Sequence, residues 1–165
     1  DTAHRRESRR ELGAHYTSER NILKVIQPLF LDELHEEFIK AKGSKTKLTA
    51  LYDKLPSIKF FDPACGCGNF LVIAYREVRR IENDVINKLF FKGQAQGGLL
   101  DIATLCRVNI GQFYGIEIDE AATHIARVAL YITDHQLNLE AANKFGKTIK
   151  ISLFCYIYLF FKGLL

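Results

Sequence analysis

The chain has 165 residues, of which 48% are hydrophobic and 25% charged, and its formal net charge is +4 at pH 7. A chain of this length fits one domain with a usable core and leaves little room for a second. So small a positive charge does not by itself indicate a nucleic-acid binder. The four cysteines form no Cys-x-x-Cys pair and have no matching histidine spacing, which argues against zinc and favours reduced thiols in a cytoplasmic protein.

The first residues, DTAHRRESRREL, are polar and basic and contain no apolar signal segment. Four arginines, Arg5, Arg6, Arg9 and Arg10, lie among acids, which is typical of a solvated helix or a frayed lead-in. A phosphate-contacting arm is the alternative interpretation, because arginines also bind nucleic-acid backbones. Since residue 1 is not Met, we expect the chain to begin inside a longer one.

The next segment, YTSERNILKVIQPLFLDELHEEFIKAKG, has apolar residues at helical spacing. Ser18 is its predicted N-cap, and Pro28 predicts a kink or a restart of the helix. A polar stretch, KGSKTK, then precedes a short predicted helix, LTALYDKL, which Pro56 ends. We therefore predict a helical segment over residues 1–56.

A short buried strand is predicted at SIKFFD, because β-branched and aromatic residues lie there between Pro56 and a glycine-rich loop. Apolar residues three or four apart then predict an amphipathic helix from Phe70 to about Phe90. Its polar face is predicted to carry Arg76, Arg79, Arg80, Glu82 and Asp84.

Residues 91–111, with the stretch GQAQGG, predict an irregular insertion that carries a short helical piece around Ile102 to Val108. A second strand, QFYGIEID, and a second amphipathic helix, EAATHIARVALYITDHQLN, follow. The apolar face of that helix is predicted to comprise Ile125, Val128 and Ile132. The alternation of strands and helices favours a three-layer α/β domain with a parallel sheet.

The stretch FDPACGCGNF forms a glycine-rich turn between the first strand and its helix. Gly66 and Gly68 have no side chain and can adopt positive φ, so that the backbone can approach a ligand closely. The third glycine of a dinucleotide-binding G-x-G-x-x-G loop is missing, and no Gly-Lys-Ser/Thr of a P-loop follows. A cradle for phosphates is therefore not favoured.

Two carboxylates are predicted beside this turn. Asp62 would repel phosphates but can accept a hydrogen bond from an ammonium group or a water molecule. Glu117 ends the second strand, where a carboxylate can accept hydrogen bonds from both hydroxyls of a ribose. An adenosine that bears an amino acid in place of phosphates meets these demands, which points to S-adenosylmethionine.

Three stretches carry a resemblance to a known family. DPACGCGNFL resembles the first motif of amino-group DNA methyltransferases, with Cys67 where serine is commoner, and this cysteine form is similar to that of the large fused type IIL restriction-modification enzymes. LGAHYTSERNI resembles the motif that precedes the loop in adenine-specific members, and FYGIEIDEAATHIARVALYITDHQLN resembles their ribose-binding strand and helix. The resemblance covers roughly residues 10–146.

The resemblance implies a Rossmann-like class I methyltransferase fold, here incomplete, that uses S-adenosylmethionine to methylate the exocyclic amine of adenine in double-stranded DNA, without a metal or a membrane. It also implies that residues 57–148 form the cofactor-binding core. The residues expected to contact the methionine and adenine parts of the cofactor are Tyr16, Thr17 and Ile118. Those expected to line the loop and to bind the ribose are Asp62, Ala64, Gly66, Gly68 and Glu117.

Each of these assignments has a structural alternative. The two loop glycines could form a tight turn with no ligand, and Tyr16 and Thr17 could simply lead into a helix. Glu117 could cap the helix that begins near Asp119, because acids favour helix N-termini. The separation of Asp62 from Glu117 also exceeds the roughly 20 residues of a minimal Rossmann unit. The loop cysteines are interpreted as small fillers of the turn.

The family's catalytic motif, an Asn or Asp followed by Pro-Pro and an aromatic residue, is expected to hold a flipped base. The chain has three prolines, Pro28, Pro56 and Pro63, and no two adjoin. We therefore assign no catalytic residue and expect the isolated chain to be inactive. A non-catalytic remnant that binds the cofactor or serves in assembly is the alternative interpretation.

The end of the chain is unusual, because no acid lies between Gly146 and Leu165 and the run ISLFCYIYLFF is apolar apart from its serine. This run is shorter than the roughly 20 residues of a membrane span. Its first half is consistent with a buried strand, and its second half is typical of an aggregation-prone segment. We interpret residues 149–165 as an atypical tail of a truncated or frame-shifted product.

Overall fold

The structure, a computed structural model, describes residues 17–91 and 102–145. Tyr16, the basic start of the chain, the GQAQGG stretch and the apolar tail at residues 149–165 lie outside these described residues. No helix in the described ranges is long and apolar enough to cross a bilayer.

Helices form the first part of the described chain. They are α1 (Glu19–Ile26), a π-helical turn (Gln27–Leu31), α2 (Asp32–Ala41), α3 (Lys45–Lys54) and a 3₁₀ turn (Leu55–Ser57). Ser18 is the N-cap residue of α1, as predicted, although its side chain makes no capping bond. The predicted interruption at Pro28 takes the form of the π-helical turn, because proline cannot donate the regular helical hydrogen bond.

Two parallel strands follow, each with a helix after it. The elements are β1 (Phe60–Asp62), α4 (Asn69–Ile86) with a π-helical turn (Asn87–Phe91), α5 (Ile102–Leu105), a 3₁₀ turn (Ile110–Gln112), β2 (Phe113–Gly115) and α6 (Glu120–Phe145). The register pairs Phe60 with Phe113 and Asp62 with Gly115. The predicted alternation of strands and helices and the parallel pairing are confirmed, but both strands are shorter than predicted.

Only one face of this two-stranded sheet is covered in the described part of the chain. On that face the Phe60 ring stacks on Phe113 at 4.6 Å between centroids, and Tyr75 of α4 packs edge-on against Phe113 at 5.1 Å. On the other face Phe61 is 61% and Tyr114 is 47% exposed. The predicted three-layer arrangement is therefore not present among the described residues, which form two layers.

A buried ion pair on α4 corrects the prediction for that helix. Arg79 and Glu82 were expected on its polar face, yet their exposed fractions are 1% and 0%. Arg79 Nη1 donates to Glu82 Oε2 at 2.8 Å, and Glu82 Oε1 accepts the backbone N–H groups of Arg107 and Val108 at 2.6 and 2.8 Å. Burial raises the pKa of the Glu82 carboxyl. These residues face inward because their partners lie in the segment that leads to β2.

Further polar contacts connect α4 to α6. Arg79 Nη2 donates to Asn138 Oδ1 at 2.6 Å, and Asn138 Nδ2 donates to Asp134 Oδ2 at 3.2 Å. The Tyr75 hydroxyl donates to the same carboxylate, at Asp134 Oδ1. The two helices therefore meet across a polar seam as well as through apolar packing.

The buried face of α6 also differs from the prediction. Ile125, Val128 and Ile132 are 54%, 43% and 53% exposed, so the predicted apolar face points to solvent. The residues of α6 that are buried are Ala126, Leu130, Thr133, Leu137, Ala141, Ala142 and Phe145. Because this helix has apolar residues on two sides, spacing alone does not determine which side packs inward.

Candidate cofactor site

The loop between β1 and α4 has the backbone geometry that its glycines predict. Gly66 and Gly68 have φ angles of 52° and 80°, in the left-handed region that residues with a Cβ seldom adopt. Asp62 Oδ1 accepts the N–H of Ala64 at 3.1 Å, and the N–H of Gly68 donates to the carbonyl of Cys65 at 2.8 Å. The loop is thus a tight turn that delivers the chain into the start of α4.

The glycines around this loop have different surroundings. A Cβ added to Gly66 would meet nothing within 4 Å, whereas one on Gly68 would lie 2.8 Å from the Cβ of Ala126 in α6. A Cβ on Gly115 would lie 2.6 Å from Cys65 Sγ. Gly66 therefore faces open space, while Gly68 and Gly115 allow close packing. The role of Gly115 was missed from the sequence, since it depends on the approach of two distant segments.

Backbone hydrogen bonds join the loop to the end of β2. The N–H of Ile116 donates to the carbonyl of Asp62 at 3.0 Å, and the N–H of Cys65 donates to the carbonyl of Ile116 at 3.0 Å. The carboxyl ends of parallel strands meet at one edge of a sheet, which brings Glu117 beside the loop.

The Glu117 carboxylate accepts three backbone N–H groups. Oε2 accepts from Gly66 at 2.9 Å, and Oε1 accepts from Ile118 at 2.8 Å and from Asp119 at 2.9 Å. These bonds, first among them the one from the Asp119 N–H, lower the pKa of the Glu117 carboxyl. The structure thus brings together the predicted acid and the predicted glycine loop, although Glu117 follows a strand that ends at Gly115.

The capping of α6 is performed by another residue. Asp119 Oδ1 accepts the N–H groups of Ala121 and Ala122 at 2.8 and 3.3 Å, which is the pattern of an N-cap aspartate. Glu117 accepts N–H groups that precede this helix, so the alternative that it caps α6 loses its support.

The remaining predicted site residues lie at different places. Ile118 is 99% exposed and lies three residues after the last residue of β2. Thr17 is half-buried and lies just ahead of α1, which is held to α4 by an ion pair between Glu19 and Arg76. Tyr16 lies outside the described residues.

Cys65 in the loop has surroundings that disfavour a reactive thiolate. Cys65 is half-buried, and burial raises the pKa of its thiol, which disfavours the nucleophilic thiolate. Within residues 17–91 and 102–145, no group of three or more His, Cys, Asp or Glu side chains is placed to hold a metal ion.

Two cavities flank the loop. One of about 360 Å³ lies between the end of β2 and α6, and its walls include Cys65, Glu117 and Arg127. The other, of about 500 Å³, runs along the opposite edge of β1 and includes Asp62 and Ala64. Of the predicted site residues, Asp62 and Ala64 therefore line one concave surface and Glu117 lines the other.

The contact between Gly68 and α6 leads to a stability prediction. We expect Gly68→Ala to lower the free energy of unfolding by about 2–4 kcal/mol, because it adds left-handed backbone strain to a clash with Ala126. Urea unfolding followed by circular dichroism measures the loss. Measured against Ala126→Gly alone, Gly68→Ala should cost less, because the clash between the two Cβ atoms is gone. Gly66→Ala, which has only the strain, should cost about 1–2 kcal/mol. Equal losses for the two single alanine variants would contradict the packing account.

Comparison with known proteins assigns the family. Residues 38–153 match the family described as MmeI, DNA-methyltransferase domain. The chain belongs to the MmeI family of DNA methyltransferases. In a solved structure of the type IIL restriction-modification enzyme MmeI in complex with DNA, the similar region has a TM-score of 0.80 and 55% sequence identity, over 88% of this chain and 19% of that one.

Two curated relatives agree with the MmeI assignment. DNA methyltransferase A of Bacillus subtilis (strain 168) is 46% identical over 147 residues, which is 89% of this chain and 16% of that protein. A putative type II restriction enzyme and methyltransferase of Methanocaldococcus jannaschii is 30% identical over 115 residues, or 69% of this chain and 9% of that protein. The chain therefore spans less than a fifth of the length of these relatives.

Proposed function

We propose that the chain is the S-adenosylmethionine-binding part of a restriction-modification enzyme that methylates the exocyclic amine of adenine in DNA. The single observation that supports this most is the hydrogen bond between Glu117 and Gly66, since it joins the acid that we propose to bind the ribose to the glycine loop. The parallel strands and the helices that follow them are consistent with one part of a Rossmann-like class I fold.

The chemistry of the loop favours a cofactor without phosphates. Asp62 and Glu117 are acids on either side of Gly66, and both would repel a pyrophosphate. An adenosine that carries an amino acid presents an ammonium group and a ribose diol. Carboxylates can accept hydrogen bonds from both. When bound, S-adenosylmethionine would supply the methyl group that its sulfonium sulfur carries.

The finer assignments extend this proposal. Residues 57–148 would form the cofactor-binding core after the helical segment 1–56, with residues 149–165 as an atypical tail. Tyr16 and Thr17 would contact the methionine part. Ile118, in the segment that follows β2, has an exposed apolar side chain that a stacked adenine ring would cover.

Binding to DNA is proposed for the complete enzyme. The described residues carry as many acidic as basic side chains, so they supply no excess of positive charge for phosphates. The solved MmeI relative was studied in complex with DNA. We infer that the main contacts to DNA lie outside the described residues, with Arg5 to Arg10 as one candidate.

A cofactor-binding remnant that transfers no methyl group is the second candidate function. Within these 165 residues no two prolines adjoin, so neither candidate draws a catalytic motif from this stretch. Both candidates require the same cofactor site, and they differ in whether methylated adenine is formed.

Calorimetric titration of the chain with S-adenosylhomocysteine tests the cofactor site. We expect saturable binding that Gly66→Val abolishes, because the new side chain would occupy the open space at the loop. Gly43→Val is the matched control, since Gly43 also faces open space but has an ordinary φ and lies after α2. If the unchanged chain did not bind, or if both variants lost affinity equally, the glycine loop would not be the cofactor site.

Glu117→Ala is expected to weaken binding of S-adenosylhomocysteine by about 10- to 100-fold, as for the loss of hydrogen bonds to a charged group. The same titration measures it. Glu120→Ala is the control, because Glu120 is an exposed acid three residues further along. An unchanged affinity in Glu117→Ala would show that this carboxylate supports the loop and contacts no ligand.

A further inference from the structure

The hydrogen bonds of Glu117 leave it too little capacity for a ribose diol. A carboxylate has about four acceptor sites, two on each oxygen. Oε1 uses both of its sites for Ile118 and Asp119, and Oε2 uses one for Gly66. Two ribose hydroxyls need two acceptors, and only one is left.

We propose that the Glu117 carboxylate and the Gly66 N–H form a latch that opens when a ligand with a vicinal diol binds, as the carboxylate exchanges this N–H group for the second hydroxyl. The proposal rests on the proposed cofactor site and adds a conformational step to it. A ligand with one hydroxyl would use the last acceptor site and leave the latch closed.

The bond to Gly66 is the one that can open at least cost. The two bonds on Oε1 join Glu117 to the next residues of its own turn, whereas the bond on Oε2 joins segments 51 positions apart. Breaking it requires movement of the carboxylate or of the loop at Gly66, where a Cβ would meet nothing within 4 Å.

The neighbouring parts of the loop are held more firmly. Cys65 is bonded through its N–H to the carbonyl of Ile116, and Gly68 is packed against Ala126 with no room for a Cβ. Opening the latch would therefore change the surroundings of the Gly66 N–H while Gly68 stays in place. This makes the backbone amide of Gly66 a specific reporter and that of Gly68 its internal control.

The experiment follows both amides by NMR in the ¹⁵N-labelled chain, with hydrogen exchange measured in parallel. The probes are S-adenosylhomocysteine and its 2′-deoxyribose analogue, each confirmed as bound by calorimetry. With the diol probe, we expect exchange of the Gly66 amide to become at least about tenfold faster as its carboxylate bond is lost. With the 2′-deoxyribose analogue, the Gly66 amide should stay protected from exchange. The exchange rate of the Gly68 amide should stay the same with either probe.

The outcomes separate the latch from the cofactor site. Binding of S-adenosylhomocysteine with an unchanged Gly66 amide would overturn the latch and leave the proposed function intact. No calorimetric binding of either probe would overturn both. Opening by both probes alike would also overturn the proposal, because it would show that one hydroxyl suffices.

A variant tests the closed latch without any ligand. Glu117→Asp shortens the side chain by one methylene, which should withdraw it from Gly66 while it still accepts a local N–H, as Asp62 does from Ala64. We expect the Gly66 amide of this variant to exchange at least about tenfold faster than in the unchanged chain. Glu120→Asp is the matched control, and circular dichroism checks folding. Equal protection in Glu117→Asp would contradict the latch.

Discussion

Replacing Glu82 by Leu is expected to lower the free energy of unfolding by about 3–5 kcal/mol, because it leaves the Arg79 guanidinium buried without its countercharge. Arg79 is 1% exposed, and its Nε already has no hydrogen-bond partner among the described residues. The same change removes the acceptor of two backbone N–H groups in the segment that leads to β2. Urea unfolding measures the loss.

Two comparisons show whether burial is the cause. Arg80→Leu removes an ion pair with Glu77 at the same spacing on the same helix, but Arg80 is 48% exposed, so a change below about 1 kcal/mol is expected. The double variant Arg79→Leu, Glu82→Leu should be more stable than Glu82→Leu alone, because no charge stays buried. A loss in Glu82→Leu as small as in Arg80→Leu would refute this account.

The parts of the site that depend on local chemistry could be predicted from the sequence. Gly66 and Gly68 adopt positive φ because the turn from a strand into a helix requires it at those positions. The parallel order of β1 and β2 followed from the alternation of strands and helices. The carboxyl ends of parallel strands lie at the same edge of the sheet, which brings Glu117 to the loop. The pairing of the acid with the glycines could therefore be predicted without knowledge of the packing.

The parts that depend on distant partners could not be predicted. Arg79 and Glu82 have the composition of a polar helix face, and only their contacts with Val108 and Asn138 place them inside. In α6 the packing of Ala126 against the loop selects one of two apolar sides, and Ile125 on the other side is exposed. Spacing along one helix contains neither kind of information.

The chain alone is not expected to transfer a methyl group to DNA. Cofactor binding and positioning of the target amine are separate tasks, and the residues assigned here serve only the first. Without a polar acceptor for the amine and an aromatic platform, nothing would hold a flipped adenine in line with the methyl group. Orientation of this kind can account for about 7–11 kcal/mol of a barrier, so its absence should reduce the rate below detection.

Incubation with mixed-sequence DNA and S-adenosylmethionine labelled in its methyl group tests this expectation. Full-length MmeI, the solved relative, is the positive control, and calorimetry establishes that the chain in the assay binds its cofactor. If the chain binds the cofactor and the DNA stays unlabelled, the expectation is confirmed, because cofactor binding then occurs without methyl transfer. Labelled adenine that is lost in Gly66→Val would instead show that the chain positions a base through residues to which we assign no such role.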